Sequence, residues 1–323
     1  MYPYLLLQAM GIKDLNGYLQ KRCTNRSIRR RPLYEIAHNT IVVDASIYIY
    51  KFLADGALIE NMFVLASHFI KYHINAIFIF DGKPPEAKTE AIARRVQDKE
   101  NAEQEYKELE KTLDNDTLTV QQKETIQDDM KKVKRKFVRV KNHHIDSVKK
   151  LFNLYGIKYI EANGEADQLC AQLCISGFAY GCLSDDMDML VYGCPRIFRC
   201  LDMKTKSIVW YEYENIIREM KIPSNSFQQA MYACKNDYND AGLTIPAVMR
   251  LYSTYRKVAK EKTLGEWLCD SKHVNAETYD MVQTEYKLDD VLSIRLHNMH
   301  YRRKNIDYGP LCDMLLNYNF IRV

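Results

Sequence analysis

Ala76-Ile77-Phe78-Ile79-Phe80-Asp81-Gly82-Lys83-Pro84-Pro85 decides how the chain is read. An unbroken apolar run ends in a carboxylate, and Gly82 with the proline pair then stops the segment. Such a run predicts a strand buried on both faces, as in a parallel sheet. Ligands of open α/β sheets bind at the carboxyl ends of the strands, where Asp81 falls. Two stretches share this form: Ile41-Val42-Val43-Asp44, and Phe178 to Ser184 running into Asp185-Asp186-Met187-Asp188. A single Asp ending a strand is ordinarily a helix cap or a turn residue. Three of them, one inside a D-D-x-D cluster, point to chemistry.

Outward from this centre, Ile47 to Phe52 and Asn61 to Tyr72 read as helices, the second with Met62, Leu65, Ala66, Phe69 and Ile70 on one face. The order strand, helix, strand predicts a βαβ unit with a right-handed crossover. Residues 86 to about 136 are rich in Glu, Lys, Gln and Ala, with a break around Asp114-Asn115-Asp116. This predicts a helical hairpin with too few large apolar residues for a core: a solvated pair, or an arm projecting over the carboxylates. Lys131 to Lys141 then carries seven basic residues and no acid, a solvated face or a phosphate contact. Lys21 to Arg31, with six basic residues and no acid, leaves the same two readings open. Beyond the arm come a helix from Ile145 to Tyr155, a strand from Lys158 to Ala162, and Asn163-Gly164-Glu165-Ala166-Asp167 opening a helix that runs to Ile175.

The 323 residues, 47% of them hydrophobic, suffice for a large folded core, and Gly and Pro are scarce. The net charge of +4 is mild, but its distribution is uneven. Nine cysteines without a C-x-x-C pair fit reduced thiols in an intracellular protein rather than a zinc site or a disulfide frame. The apolar residues before Met10 are too few to span a membrane, and residues 1–9 read as an extension outside the fold.

Asp44, Asp81, Glu165, Asp167, Asp186 and Asp188 thus gather from four strand ends. So many carboxylates repel one another in a dry crevice unless hard cations bind between them. Mg²⁺ takes oxygen ligands and keeps several waters, and no His or Cys lies in these motifs to favour zinc. Two such ions about 4 Å apart would stabilise the attacking and leaving oxygens of a phosphoryl displacement. The residues alone predict metal-dependent phosphodiester cleavage.

The Met-Gly-Ile of residues 10–12, V-V-D-A-S-I-Y-I-Y (42–50), I-F-D-G-K-P-P-E-A-K (79–88), K-R-K-F-V-R-V-K-N-H-H (134–144), E-A-N-G-E-A-D (161–167) and S-D-D-M-D-M-L (184–190) resemble the flap endonucleases. The match runs from residue 10 to about 240 and more faintly to the end. F-D-G-K-P-P is closer to this branch than to the excision-repair, exonuclease or junction-resolving ones, and the short arm also disfavours the excision-repair branch. The resemblance implies cleavage of DNA at the base of 5′ flaps, with two Mg²⁺ per site that Mn²⁺ can replace. It puts Asp44, Asp81, Glu165, Asp167, Asp186, Asp188 and Asp237 on the family's metal carboxylates. Lys88 and Arg95 match two basic residues of the first arch helix that engage the scissile phosphate; their spacing of seven puts both on one helix face. Tyr50 matches an aromatic that stacks on a base. Lys134, Arg135, Lys136, Arg139 and Lys141 are the candidate backbone contacts.

Four features depart from the family pattern. Asp167 stands where Glu is usual. The loop after Phe52, where relatives carry a wedge, is shortened to Leu53–Glu60. The Gly-x-Gly of the potassium-binding helix-turn-helix is replaced by Leu243-Thr-Ile-Pro246. No sliding-clamp motif is found. We therefore expect an α/β fold with a mainly parallel central sheet flanked by helices. Within one nuclease domain (10–323) it comprises two core halves (10–87 and 142–240), a helical arch (88–141) and a helical region (241–323) holding a degenerate helix-turn-helix. The expected protein is a monomeric DNA nuclease with flap and 5′→3′ exonuclease activity and no membrane partner. It would act in the nucleus, or at cytoplasmic replication sites if the reduced chain is that of a large DNA virus. The rivals are a 5′→3′ ribonuclease of related fold and a branched-DNA binder with little nuclease activity.

Overall fold

The computed structural model describes residues 11–83, 85, 88–113, 118–258, 261–288, 305–318 and 320. Its strands are β1 (Ile28–Pro32), β2 (Thr40–Asp44), β3 (Asn75–Phe80), β4 (Lys158–Glu161), β5 (Gly181–Leu183), β6 (Arg196–Asp202) and β7 (Ser207–Glu212). They form one sheet in the order β1-β7-β6-β5-β2-β3-β4. The pairs from β6 to β4 are parallel, and β7 and β1 add an antiparallel edge. The mainly parallel sheet is as expected; the antiparallel edge is new. It draws on the arginine run, whose Ile28–Pro32 is an edge strand with Arg29 4.0 Å from Glu212 and Arg31 3.3 Å from Glu35. Charges and a terminal proline are typical guards of an open edge.

The continuous apolar runs are explained by helices on both faces of the sheet. Ile41 and Val43 of β2 pack with Phe78 and Phe80 of β3 on one face, among Tyr48, Phe69 and Phe152. Val42, Ile77 and Ile79 face the other side, among Leu15, Cys170 and Ile216. Alternate residues of a strand thus enter two different cores. The helices between β2 and β3 are Ala45–Ala54 and Leu58–Lys71, so the shortened loop is three residues long. The third predicted strand is shorter than expected: Phe178 to Tyr180 form a bend, and only Gly181–Leu183 joins the sheet.

The arm is a pair of helices, Thr89–Leu113 and Val120–Lys134, the second started by a Thr119/Gln122 capping box. The break at Asp114-Asn115-Asp116 lies outside the described residues, as does the extension 1–9. Helices Ser224–Tyr232 and Ile245–Val258 flank the degenerate helix-turn-helix. Helices Leu264–Asp270 and Ala276–Glu285 pack on the same side, whereas Tyr308–Asn317 crosses to the opposite face through Leu311, Met314 and Leu315. No described helix is long and apolar enough to cross a membrane.

Candidate metal centre

The carboxyl ends of β5, β2, β3 and β4 lie side by side, so the residues that leave them converge. Asp44 ends β2 and caps the next helix, accepting from Ser46 N at 3.1 Å, while its other oxygen accepts from Ser184 Oγ at 3.2 Å. Asp81 leaves β3 exposed and accepts from Ala166 N at 2.8 Å and from Ser46 Oγ. Gly82 lets these two turns meet. A Cβ there would sit 2.2 Å from the Ala162 carbonyl oxygen, and Gly82 N donates to Gly164 O at 2.7 Å. Asp81 is thereby held against the turn that carries Glu165 and Asp167.

Asp167, Asp186 and Asp188 are buried, with one carboxylate oxygen of each within 4.8 Å of the others. Asp188 N donates to Asp186 Oδ1 at 2.8 Å, which tightens the D-x-D turn. Gly11, at φ 75°, packs directly on it: a Cβ would come within 2.3 Å of Asp186 Oδ1 and 2.4 Å of Asp188 Oδ1. Only glycine combines that backbone conformation with that approach. Asp185, inside the same motif, is turned away and accepts from Cys200 N at 2.6 Å. Its carbonyl takes a fork from buried Arg199, at 2.6 and 3.2 Å.

Burial and mutual repulsion make these acids hard to ionise. Burial, then Asp81, Asp167 and Asp186, lifts Asp44 well above the carboxylate range. Burial and the charge of Glu165 push Asp167 up to about 8. Asp188 is raised by burial and by Asp186, and Asp186 by burial and Asp237. Two carboxylate oxygens of the D-D-x-D motif, Asp185 Oδ2 and Asp188 Oδ1, are buried without a hydrogen-bond partner. An all-oxygen donor set of buried, mutually repelling carboxylates fits a hard divalent cation.

Two arch cations reach into this cluster. Lys88 is buried, with Nζ 2.6 and 2.8 Å from the oxygens of Glu165 and 3.9 Å from Asp237. It sits in the turn before helix Thr89–Leu113 rather than on it, as the helical spacing implied; Lys88 N bonds to Pro85 O. Burial disfavours its ammonium, but Asp167, Tyr238 and Glu165 outweigh that and raise its pKa. Arg95, on the helix, donates to Asp237 at 2.6 Å, and neighbouring Arg94 pairs with Asp240 at the same distance.

The other candidates lie at the arm. Tyr50 donates from its hydroxyl to Val138 O, and Lys99 Nζ sits 4.8 Å over its ring. Arg135 pairs with Asp55 at 3.0 Å, Lys136 with Glu105 at 3.6 Å and Arg139 with Glu103 at 3.2 Å. Lys134 and Lys141 are exposed. Lys131 and Lys132 also pair with Asp128 and Asp129, so five of the run's seven basic residues are met by the arm's own acids or by Asp55. Sequence reasoning passed over Ser46 and Ser184, although Asp44-x-Ser46 has the spacing of a helix cap. It also passed over Tyr238, whose hydroxyl donates to Glu165 Oε2 at 3.0 Å.

Comparison with known proteins gives a consistent picture. The XPG N-terminal domain matches residues 10–102, and the XPG I-region matches residues 156–237. Flap endonuclease 1 of Glycine max is 28% identical over 273 residues, 77% of this chain and 68% of that protein. Flap endonuclease 1 of Methanococcus aeolicus is 26% identical over 289 residues, 84% of this chain and 82% of its own. Among solved structures, the catalytic core of Rad2 in complex with DNA substrate superposes with a TM-score of 0.64 at 18% identity, covering 95% of both chains. Flap endonuclease-1 of Methanococcus jannaschii superposes with a TM-score of 0.58 at 20% identity, covering 91% of this chain and 92% of that one. The two matched domains contribute the carboxylates from Asp44 to Asp237, and the chain is a divergent member of the flap endonuclease/XPG superfamily of metal-dependent nucleases.

Proposed function

We propose that this chain cleaves DNA at 5′ flap junctions and acts as a 5′→3′ exonuclease, using two Mg²⁺ that Mn²⁺ can replace. The observation that carries this reading is the meeting of Lys88 and Arg95 with Glu165 and Asp237, on the rim of a carboxylate cluster. A cation pair poised at a metal centre suits an anionic substrate. Asp44, Asp81, Glu165, Asp167, Asp186, Asp188 and Asp237 would hold the ions. Bound there, divalent ions supply Lewis-acid stabilisation of the attacking and leaving oxygens.

The chain's own contribution is positioning. Lys88 and Arg95 exchange their carboxylates for the scissile phosphate, the guanidinium offering the oxygens a fork of donors. Exposed pairs such as Arg139–Glu103 contribute only about 0–1 kcal/mol, so the arm's cations transfer to the DNA backbone at little cost. Tyr50 becomes a stacking platform once Lys99 leaves its ring. The reading extends to a monomer acting in replication, repair or recombination.

The test is cleavage of matched DNA and RNA 5′ flaps in Mg²⁺. The expected result is incision of the DNA flap, with the RNA flap cut no faster. Preferential degradation of RNA would favour the ribonuclease reading, and binding without cleavage of either would favour a branched-DNA binder.

A further inference from the structure

Tyr286 follows helix Ala276–Glu285, beyond both matched domains, yet it lies beneath the metal centre. It is 3% exposed, and its ring packs 5.3 Å from Tyr192, 5.6 Å from Tyr232 and 5.5 Å from Tyr238. One of these neighbours touches a site acid, Tyr238 Oη donating to Glu165 Oε2 at 3.0 Å, while Tyr192 ends the one-turn helix that Asp188 begins, its backbone N–H donating to Asp188 O at 3.0 Å. Burial first, and then the charge of Asp188, raises the Tyr286 phenol well above its ordinary pKa. Both Tyr286 Oη and Asp188 Oδ1 are buried without a hydrogen-bond partner. A buried donor and a buried acceptor left unpaired are each costly, so a hydrogen bond that joins them is favoured.

We propose that Tyr286 is a positioning residue for the metal centre, its hydroxyl donating to Asp188 Oδ1. Gly11 packs closely on the same oxygen, where a Cβ would come within 2.4 Å, so a donor there would fix the plane of the carboxylate and the direction of its second oxygen. Partners that orient ligands typically alter metal affinity by 10–100-fold when removed. The helical region after residue 240 then does more than position DNA: it completes the nuclease centre. The inference rests on the metal-dependent reading of the site.

Tyr286→Phe removes the hydroxyl and keeps the ring and its stacking. Tyr232→Phe is the control, because it takes a hydroxyl from the ring that stacks on Tyr286 in the same cluster. Mn²⁺ binding to the full chain without DNA is measured by calorimetry and by the paramagnetic resonance of free Mn²⁺, and folding by thermal melting. The expected result is Mn²⁺ binding roughly ten-fold weaker in Tyr286→Phe and unchanged in Tyr232→Phe. Wild-type affinity in a folded Tyr286→Phe, or equal loss in the control, overturns the inference alone. No Mn²⁺ binding by the wild-type chain overturns the function on which it rests, and the inference with it.

Discussion

Lys88 Nζ lies 2.6 Å from one oxygen of Glu165 and 2.8 Å from the other, beside the cluster of buried carboxylates. The ammonium lies between Glu165 and, at 3.9 Å, Asp237. The proposed function gives Lys88 two roles: counter-charge before metals bind, and phosphate ligand afterwards.

Lys88→Met should separate these roles. Removing one partner of a buried ion pair costs about 3–5 kcal/mol. The variant is expected to melt well below wild type in chelator, and most of that gap should close in excess Mg²⁺. Cleavage of a saturating flap substrate should stay reduced by about 10²–10³-fold, the scale of a lost electrostatic contact. Thermal melts with and without Mg²⁺, alongside single-turnover rates, measure both. Equal destabilisation in the two conditions would show that Lys88 does not stand in for the metals.

Asp186→Asn and Asp188→Asn should abolish cleavage and leave flap binding intact or tighter, because removing a negative charge eases the approach of phosphate. Fluorescence anisotropy in Ca²⁺ reads binding apart from turnover. Parallel loss of binding and cleavage would mean that these two acids hold the fold together.

The metal-free protein should lose stability as pH rises. Asp167 is pushed from 3.8 to about 8, by burial first and then by Glu165. Below the unfolded value the carboxyl is protonated in both states and the shift has no effect. Between the two values the unfolded chain releases a proton that the folded chain retains, so the unfolded state gains. The melting temperature in chelator is expected to fall between about pH 5 and 8, and to fall less in Asp167→Asn. Mg²⁺ should raise it more at the upper end, because ligands bind deprotonated. A flat profile in chelator would contradict the buried-acid account.

Much of this site was legible because its chemistry is written at strand ends. Asp44 and Asp81 stand out through the apolar runs before them, and Asp186 and Asp188 through their spacing. The edge strand Ile28–Pro32 was not legible, since three consecutive arginines mask a segment whose pairing comes from β7. Neither was the state of the basic run, because the partners of Arg135 and Arg139 lie 80 and 36 residues away. Lys88 was placed by its motif, but its hold on Glu165 depends on how the arm meets β4. Tyr286 carried no signal: a tyrosine after an ordinary amphipathic helix reads as core until the sheet brings Asp188 against it.

Flap binding should not distinguish K⁺ from Na⁺. Leu243 and Ile245 stand where the family resemblance implies the two glycines of a potassium-binding turn. Here the Leu243 carbonyl accepts from Lys235 N at 3.0 Å, and Leu243 N donates to Ala233 O at 2.8 Å. Gly242 serves the turn itself, since a Cβ would meet the Cys234 backbone at 2.5 Å. The downstream duplex is then held mainly by Lys and Arg, through counterion release. Affinities in KCl and NaCl at matched concentration should agree and fall steeply as either salt rises. Clearly tighter binding in KCl would show that the turn makes an ion site without glycine.

The central claim is that the carboxylate cluster and the two arch cations form a divalent-ion-dependent flap nuclease. Product lengths from a 5′-flap DNA labelled at the flap's 5′ end test it most directly, with and without Mg²⁺. The account predicts one dominant product, as long as the flap to within about a nucleotide, in Mg²⁺ only, and none from Asp186→Asn. Label released as mononucleotides alone, products spread along the flap, or equal cleavage in chelator would contradict it.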